Sequence, residues 1–394
     1  MAGLTALAFA YFLSQFYRSF LAVLTPALEA ELGATKADFS QASGAWFVAF
    51  ALMQFAVGVS LDRFGPRRTA AVMLAFGGGG GAAVFGLAST PFMLVVAMAL
   101  IGVGCAPVLM ASLFIFAKTF KAARFAVATS WFVALGSLGN VFGATPLAAA
   151  AESFGWRPVI LAIAALTLLV ALALFVFVRD PERSPDEPAA GGFGGFAELL
   201  RLRVLWPIIP LTAINYAPAV GIRGLWAGPY LTDVFGADAL AIGNATLFMA
   251  FAMVAGSFLY GPLDTVFRTR KWVAVAGNTI SVAAICALAL MPQSSLTAAT
   301  ILLVLIGVSG SSYGLLMAHA RAFVPAHLTG RGVTLMNFFS IGGVGAMQFA
   351  TGAVVTQATV PDDPVAAYQT LFAFYALVLA LSVLVYLKAR DARP

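Results

Sequence analysis

The sequence predicts an all-α integral membrane protein whose twelve transmembrane helices form two pseudo-symmetric six-helix bundles. Three observations predict it: an apolar composition, twelve runs long enough to cross a bilayer, and a repeat that relates the two halves of the chain. Of 394 residues, 61% are hydrophobic and only 10% are charged. A soluble domain carries about 25% charged residues. No soluble core of this length could hide so much apolar surface, so the exterior is expected to face lipid.

A spanning helix needs ~20 mostly apolar residues. The first half offers runs at 4–28, 39–61, 69–89, 92–117, 125–150 and 157–178. The second offers 204–230, 239–262, 272–291, 297–322, 331–357 and 366–388. The opening segment, MAGLTALAFAYFLSQF, lacks a basic leader, and its apolar run continues to Pro26. It reads as the first span, not as a cleaved signal. One bundle is expected at 1–178 and the other at 204–394. Between them, RDPERSPDEPAAGGFGGFAELLRLR (179–203) is the longest polar stretch and reads as a linker.

The net charge of +6 is a topology signal and not a nucleic-acid footprint, because the basic residues sit in short loops between apolar runs. With both termini cytoplasmic, 18 of the 22 lysines and arginines fall on the inner side. Only Lys36 and Arg157 lie in outer loops, and only Arg18 and Arg223 lie within spans. The expected site is the cell (inner) membrane, with lipid around a monomer. Cys105 and Cys286 both fall inside apolar runs, so neither a disulfide framework nor a metal site is expected, and no cofactor is implied.

The repeat appears at a shift of 203 residues. PALEAELGA (26–34) then falls on PYLTDVFGA (229–237), Gly58 on Gly261, Phe64 on Phe267, Arg67 on Arg270 and Arg68 on Lys271. Parallel six-helix repeats are an architecture of secondary transporters, with the substrate site near the bilayer midplane.

GVSLDRFGPRR (58–68) resembles the loop motif of the major facilitator superfamily, and GPLDTVFRTRK (261–271) resembles its degenerate second copy. The resemblance implies the major facilitator fold and a gating role for this loop. Asp62 and Arg63, with Arg67 and Asp264, would latch the inner side. Physically, an acid at a helix end can sit against the positive N-terminus of a neighbouring helix. Other motifs of that family are absent. Met98 stands where proton-coupled members often carry an arginine, and LGSLGNVFGA has Asn140 where drug/proton antiporters have proline. YFLSQFYRSFLAVLTPALEAELG resembles the start of organic-anion (anion:cation symporter-like) members, with Tyr17 where many of them place an aspartate.

An ionisable residue deep in a span is expensive and calls for a reason. Arg18 and Arg223 are near-equivalents in the repeat, and each stands on a polar stripe at helical spacing. In the first span the stripe is Tyr11, Ser14/Gln15, Arg18 and Thr25, and in the seventh Thr212, Asn215/Tyr216 and Arg223. All sixteen acids fall in loops or at helix ends, so none is placed mid-span to neutralise Arg18. A guanidinium with no protein partner fits a partner that comes and goes, an anionic substrate held by its planar fork. Asn140 and Gln348 are further polar candidates, against the plainer reading that span amides glue helices together. His319 is the one titratable candidate within a span for coupling, sharing a helical face with Ser309 and Ser312. The plainer reading is a histidine hydrogen-bonded at the inner helix end. The glycine run 77–81 and Gly102/Gly104 read as close helix packing, since no Walker lysine follows.

The expected function is a secondary active or facilitative transporter of a small anionic solute, an organic carboxylate or similar, working by exchange or proton symport. The alternatives are a drug/proton efflux transporter and a copper importer using Met249, Met253 and His319. Two histidines and loop acids assemble no nucleophile–base constellation, so an enzyme is not expected. Single cysteines introduced at 182–196 should react with a membrane-impermeant thiol reagent only from the cytoplasmic side. Labelling from outside would reverse the topology.

Overall fold

A computed structural model of the chain describes residues 2–119, 132–133, 135–181, 194–325, 328–360 and 363–392. The chain divides into two compact units, Met1–Gly191 and Gly192–Pro394. Among the described residues the regular secondary structure is helical, apart from one isolated bridge between Val360 and Asp363. Among the described residues, nine helical segments are long and apolar enough to cross a membrane, or ten when a bent pair is taken as one span.

In unit 1 that bent pair is α1 (Ala2–Phe16) and α2 (Leu21–Leu32), which meet at 54°. Then come α3 (Lys36–Phe64), α4 (Pro66–Met73), a π-helical turn (Leu74–Gly79), α5 (Gly80–Gly86) and α6 (Pro91–Thr119). The fifth predicted span falls partly outside the described residues. Residues 135–142 are helical and lead into α7 (Thr145–Phe154) and α8 (Trp156–Phe177).

Unit 2 opens with α9 (Gly194–Arg201). The sequence reading placed this stretch in the linker. It folds because FAELL is amphipathic and buries Leu199, and only residues 182–193 of that linker lie outside the described residues. The seventh span is subdivided into α10 (Ile209–Ile214), α11 (Ala217–Gly221), a second π-helical turn (Ile222–Trp226) and α12 (Ala227–Phe235). There follow α13 (Ala239–Phe267), α14 (Arg270–Leu290), α15 (Leu296–Ser309), α16 (Tyr313–Arg321), α17 (Thr329–Ala358) and α18 (Pro364–Tyr386).

The 203-residue repeat carries through to the backbone. Helix α3 and helix α13 are both 29 residues long and start and stop in register. Thr35 caps the first and Asp238 the second, each side chain accepting an N–H from the first turn. Gly33 and Gly236 end the preceding helices in the left-handed conformation that glycine adopts at low cost. After α3 the chain turns at Gly65, φ 84°, and after α13 at Arg268, φ 52°. Arg268 is the one non-glycine residue with positive φ among the described residues. The second copy of the loop motif thus keeps a positive φ at this position but a different turn, ψ being 160° at Gly65 and 33° at Arg268.

Glycines set how closely the helices approach. A Cβ on Gly102 would strike the Trp46 backbone, and one on Gly104 would strike Gly77 and Gly78. So the glycine-rich run does serve helix packing, as the sequence suggested. Gly136, Gly139 and Gly143 lie against Tyr11, the backbone of Phe12 and Phe16, and Ser19 respectively, which brings the fifth span onto the first. Large apolar side chains such as Phe76, Phe92, Leu169 and Phe258 remain exposed on the outside, as expected of a surface in hydrocarbon. Gly139→Leu should lower the folded yield and the thermal midpoint of the purified protein. Its side chain would meet the Phe12 carbonyl, and overpacking of this kind costs about 1–3 kcal/mol. Unchanged unfolding in that variant would show that the two spans do not need this contact.

Candidate functional site

Helix α1 stops at Phe16, and residues 17–19 form turns before α2 begins. The backbone stays partly satisfied by tighter bonds, Arg18 N to Gln15 O at 3.2 Å and Ser19 N to Phe16 O at 3.0 Å. Arg18 therefore sits on the break and not on a regular helical stripe. Its Cζ lies 5.3 Å from the ring centroid of Trp46 and 5.0 Å from that of Phe50. These two rings, one helical turn apart on α3, are stacked at 5.1 Å with 17° between their planes. The Nε of Arg18 is buried and has no hydrogen-bond partner, and neither does Nε1 of fully buried Trp46. No carboxylate among the described residues pairs with Arg18.

Beside this break the predicted polar residues divide. Asn140 Nδ2 donates to Gln15 Oε1 at 3.3 Å, and Gln15 Nε2 donates to the Tyr11 hydroxyl at 2.6 Å. The Tyr11 ring stacks on Phe132 at 5.0 Å. These three form one relay between the first and fifth spans. Tyr17 belongs elsewhere, and the expectation that it lines the site with Arg18 is corrected. It is fully buried, its hydroxyl 2.8 Å from Thr167 Oγ1 on α8. Adjacent residues at the turn point in different directions, and Tyr17 takes the one facing the helix packing.

In unit 2, Arg223 lies inside the π-helical turn and is 2% exposed. A π turn inside a helix widens one turn and re-aims its side chains, often at functional positions. Asn215 Nδ2 donates to Ser312 Oγ at 2.8 Å, and Asn278 Nδ2 donates to the same oxygen at 3.1 Å. The Tyr216 ring lies 5.9 Å from that of Tyr313, whose hydroxyl donates to Asn337 Oδ1 at 2.8 Å. Gln348 is buried near Gly221 and Tyr375, alongside a bond from Trp226 Nε1 to Thr351 Oγ1 at 3.0 Å.

At the loop-motif end, an acid outside the motif caps the helix that follows. Asp62 lies in α3, its side chain outside the described residues. It is Asp180, just past α8, that meets the N-terminus of α4. Its Oδ1 accepts the Arg67 amide at 2.8 Å, and its Oδ2 lies 3.8 Å from Arg67 Nε. Any side chain at Gly65 would collide with this carboxylate. Arg63 is exposed, its guanidinium 5.3 Å over the Phe64 ring. In unit 2 Asp391 plays the corresponding part, accepting the Lys271 amide at 3.0 Å and the Thr269 hydroxyl at 2.5 Å. Partial burial pushes its carboxyl up, but the Thr269 hydroxyl, the Lys271 amide and nearby His319 together hold it below the usual carboxylate range. Asp264 pairs instead with the Arg270 side chain, Nε to Oδ2 at 3.2 Å.

The family model of the Major Facilitator Superfamily matches residues 7–225, more than half of the chain. The chain belongs to the Major Facilitator Superfamily. No curated protein sequence matches it. Among solved structures, a bacterial homolog of the human lysosomal transporter Spinster aligns with a TM-score of 0.78 at 19% identity, over 98% of each chain. The D-xylose–proton symporter gives 0.76 at 12% identity, over 98% of this chain and 97% of that one. The nucleoside transporter NupG gives 0.74 at 14% identity, over 98% and 99%. These likenesses show the fold, and the family marks the protein as a transporter.

One expectation for this major facilitator chain fails on the helix geometry. His319 was placed on one face with Ser309 and Ser312, but the tenth span is interrupted at Gly310–Ser312, which resets the helical register. His319 is fully buried near the end of α16. Its Nε2 lies 2.9 Å from the Arg390 carbonyl and must donate to it, so Nδ1 accepts from the Tyr386 hydroxyl at 2.5 Å. Both ring nitrogens are thus engaged with the end of α18 and the segment after it. That leaves no lone pair for a copper ion, and Met249 packs against Gly307. Sequence reasoning missed Trp46 and Phe50, whose rings carry no polar signal in an apolar run. It also missed Asp180 and Asp391, which looked like ordinary loop acids.

His319→Ala should leave the Tyr386 hydroxyl and the Arg390 carbonyl unpaired, at about 1–3 kcal/mol for each group left buried. The thermal midpoint of the purified protein should fall, and Tyr386→Phe, which removes one partner only, should fall less. Equal midpoints for His319→Ala and wild type would remove this clamp.

Proposed function

We propose that the protein moves a small anionic solute across the cell membrane by alternating access, with Arg18 as the principal substrate ligand. The observation that carries this reading is the state of Arg18. It is a cation at a break in a membrane span, held by ring faces, with no carboxylate beside it among the described residues. The break supports the same reading. Helix α2 starts there with no side-chain cap on its N-terminus, so its positive end adds to the potential at Arg18. Half-helix N-termini of discontinuous spans are used in this way for anionic groups of transported solutes. Arg223 in its π turn is the second cationic element, and Gln15, Tyr11 and Asn140 are the polar groups nearest along the first span.

The loop motif supplies the gate in this reading. Asp62, Arg63 and Arg67 lie where the family resemblance places the inner latch, and the Asp180 cap ties the same loop to the end of α8. Asp264, through Arg270, is the counterpart in unit 2. Both termini are cytoplasmic. Exchange of one anion for another fits better than proton symport through His319, because that imidazole is committed to the chain after α18.

The test is a thermal-shift screen of purified protein against anions and neutral or cationic drugs, followed by calorimetric titration of the strongest hit. Arg18→Ala should weaken binding of an anion more than tenfold, since a charge-assisted contact of this kind is worth on the order of 2–5 kcal/mol. Arg18→Lys should restore it in part, keeping the charge but not the two-donor fork. A neutral or cationic ligand that binds wild type and Arg18→Ala equally would overturn the anion reading.

A further inference from the structure

We infer that Trp46 is a ligand-binding residue and that the Arg18 site takes a flat organic monocarboxylate, one oxygen on the Arg18 guanidinium and the other on Trp46 Nε1. The inference rests on the anion reading of Arg18 and goes on to name the class of anion.

Two facts point to the donor pair. Arg18 Nε and Trp46 Nε1 are both buried without a hydrogen-bond partner, and Arg18 Cζ is 5.3 Å from the Trp46 ring centre. Both groups only donate, so neither can satisfy the other. Buried donors left unpaired are rare and costly, and adjacent ones call for an acceptor between them. A carboxylate is the smallest group that offers two acceptor oxygens in one plane to two separate donors.

Charge and shape narrow the class. Arg18 is the one cation deep within a span among the described residues of unit 1. A monoanion neutralises it. A dianion would leave a second negative charge against the Trp46 and Phe50 rings, and ring faces are themselves electron-rich. The two rings stack nearly parallel, at 17°, so the wall beside the guanidinium is aromatic. A planar acid lies along that wall with its oxygens at the donors. A tetrahedral oxyanion turns part of its charge onto apolar carbon.

Purified full-length protein is titrated calorimetrically with benzoate, acetate, succinate and sulfate. Benzoate should bind at least tenfold more tightly than succinate or sulfate. Trp46→Phe keeps the ring face and removes the N–H, and should weaken benzoate binding about tenfold, the worth of one hydrogen bond to a charged group. Arg18→Ala should abolish it. Ultraviolet resonance Raman spectra of the wild type test the same contact without a substitution, because added benzoate should move an indole N–H band toward its hydrogen-bonded position. Equal benzoate affinity in Trp46→Phe and wild type, or an unmoved indole band, overturns the role of Trp46. Sulfate or succinate binding as tightly as benzoate, or no benzoate binding to wild type at millimolar concentration, overturns the flat-monocarboxylate class. Undiminished benzoate binding in Arg18→Ala overturns the anion reading beneath it. Loss in Arg18→Ala with no loss in Trp46→Phe leaves that reading standing and removes only this one.

Discussion

A chain in hydrocarbon has no water to satisfy its backbone, so each amide and carbonyl must find a partner within the protein, and an orphan costs several kcal/mol. Most of this chain meets the constraint with unbroken helices such as α3, α6, α13 and α17. Three of the departures among the described residues share a feature. The break after Phe16 holds Arg18, the π turn Ile222–Trp226 holds Arg223, and the interruption at Gly310–Ser312 holds the hydroxyl that accepts from Asn215 and Asn278. At these three places irregular backbone and polar side chains occur together, because each makes the other tolerable, whereas the π turn Leu74–Gly79 holds only apolar residues and glycine.

The same constraint explains the helix ends and the close contacts. First-turn amides have no intrahelical acceptor. Asp180 and Asp391 supply one for α4 and α14, each reaching back from the segment that follows the last helix of its unit. The repeat is therefore kept as a mechanical arrangement even where residues drift, with Arg268 at positive φ where the first copy has Gly65. Between helices in lipid there is little hydrophobic drive, so close packing has to hold them. The glycines at 77, 102, 104 and 139 allow that approach.

How much of this was legible in the sequence follows from what kind of signal each residue gives. Helix positions, the 203-residue register and the loop motif were legible, since they rest on hydropathy and on residues repeated at fixed spacing. Arg18 and Arg223 were legible because a charge within an apolar run is conspicuous. Trp46 was not, because its unpaired N–H is a property that only packing can reveal. His319 was misplaced because a helical wheel assumes an unbroken helix, and the tenth span breaks between Ser309 and Tyr313. Tyr17 was misplaced for another reason, since it was drawn in by the resemblance that puts an aspartate at its position and not by any helical spacing. Asp180 was not legible as a cap, because it reaches its helix end from more than a hundred residues away in sequence.

The setting of Arg18 has a consequence for transport. A guanidinium buried with nothing beside it would be too costly to hold in the empty protein. A guanidinium neutralised by a fixed carboxylate would have no reason to bind an anion. Ring faces lie between these limits, since a cation–π contact returns about 0.5–2 kcal/mol and asks for no counter-charge. In the proposed reading, Trp46 and Phe50 therefore support the Arg18 guanidinium without spending its charge on a fixed acid. Replacing Phe50 by an aliphatic residue would remove part of that support, together with part of the ring surface along which a planar acid would lie. In that reading it should lower both the stability of the unliganded protein and its affinity for such an acid.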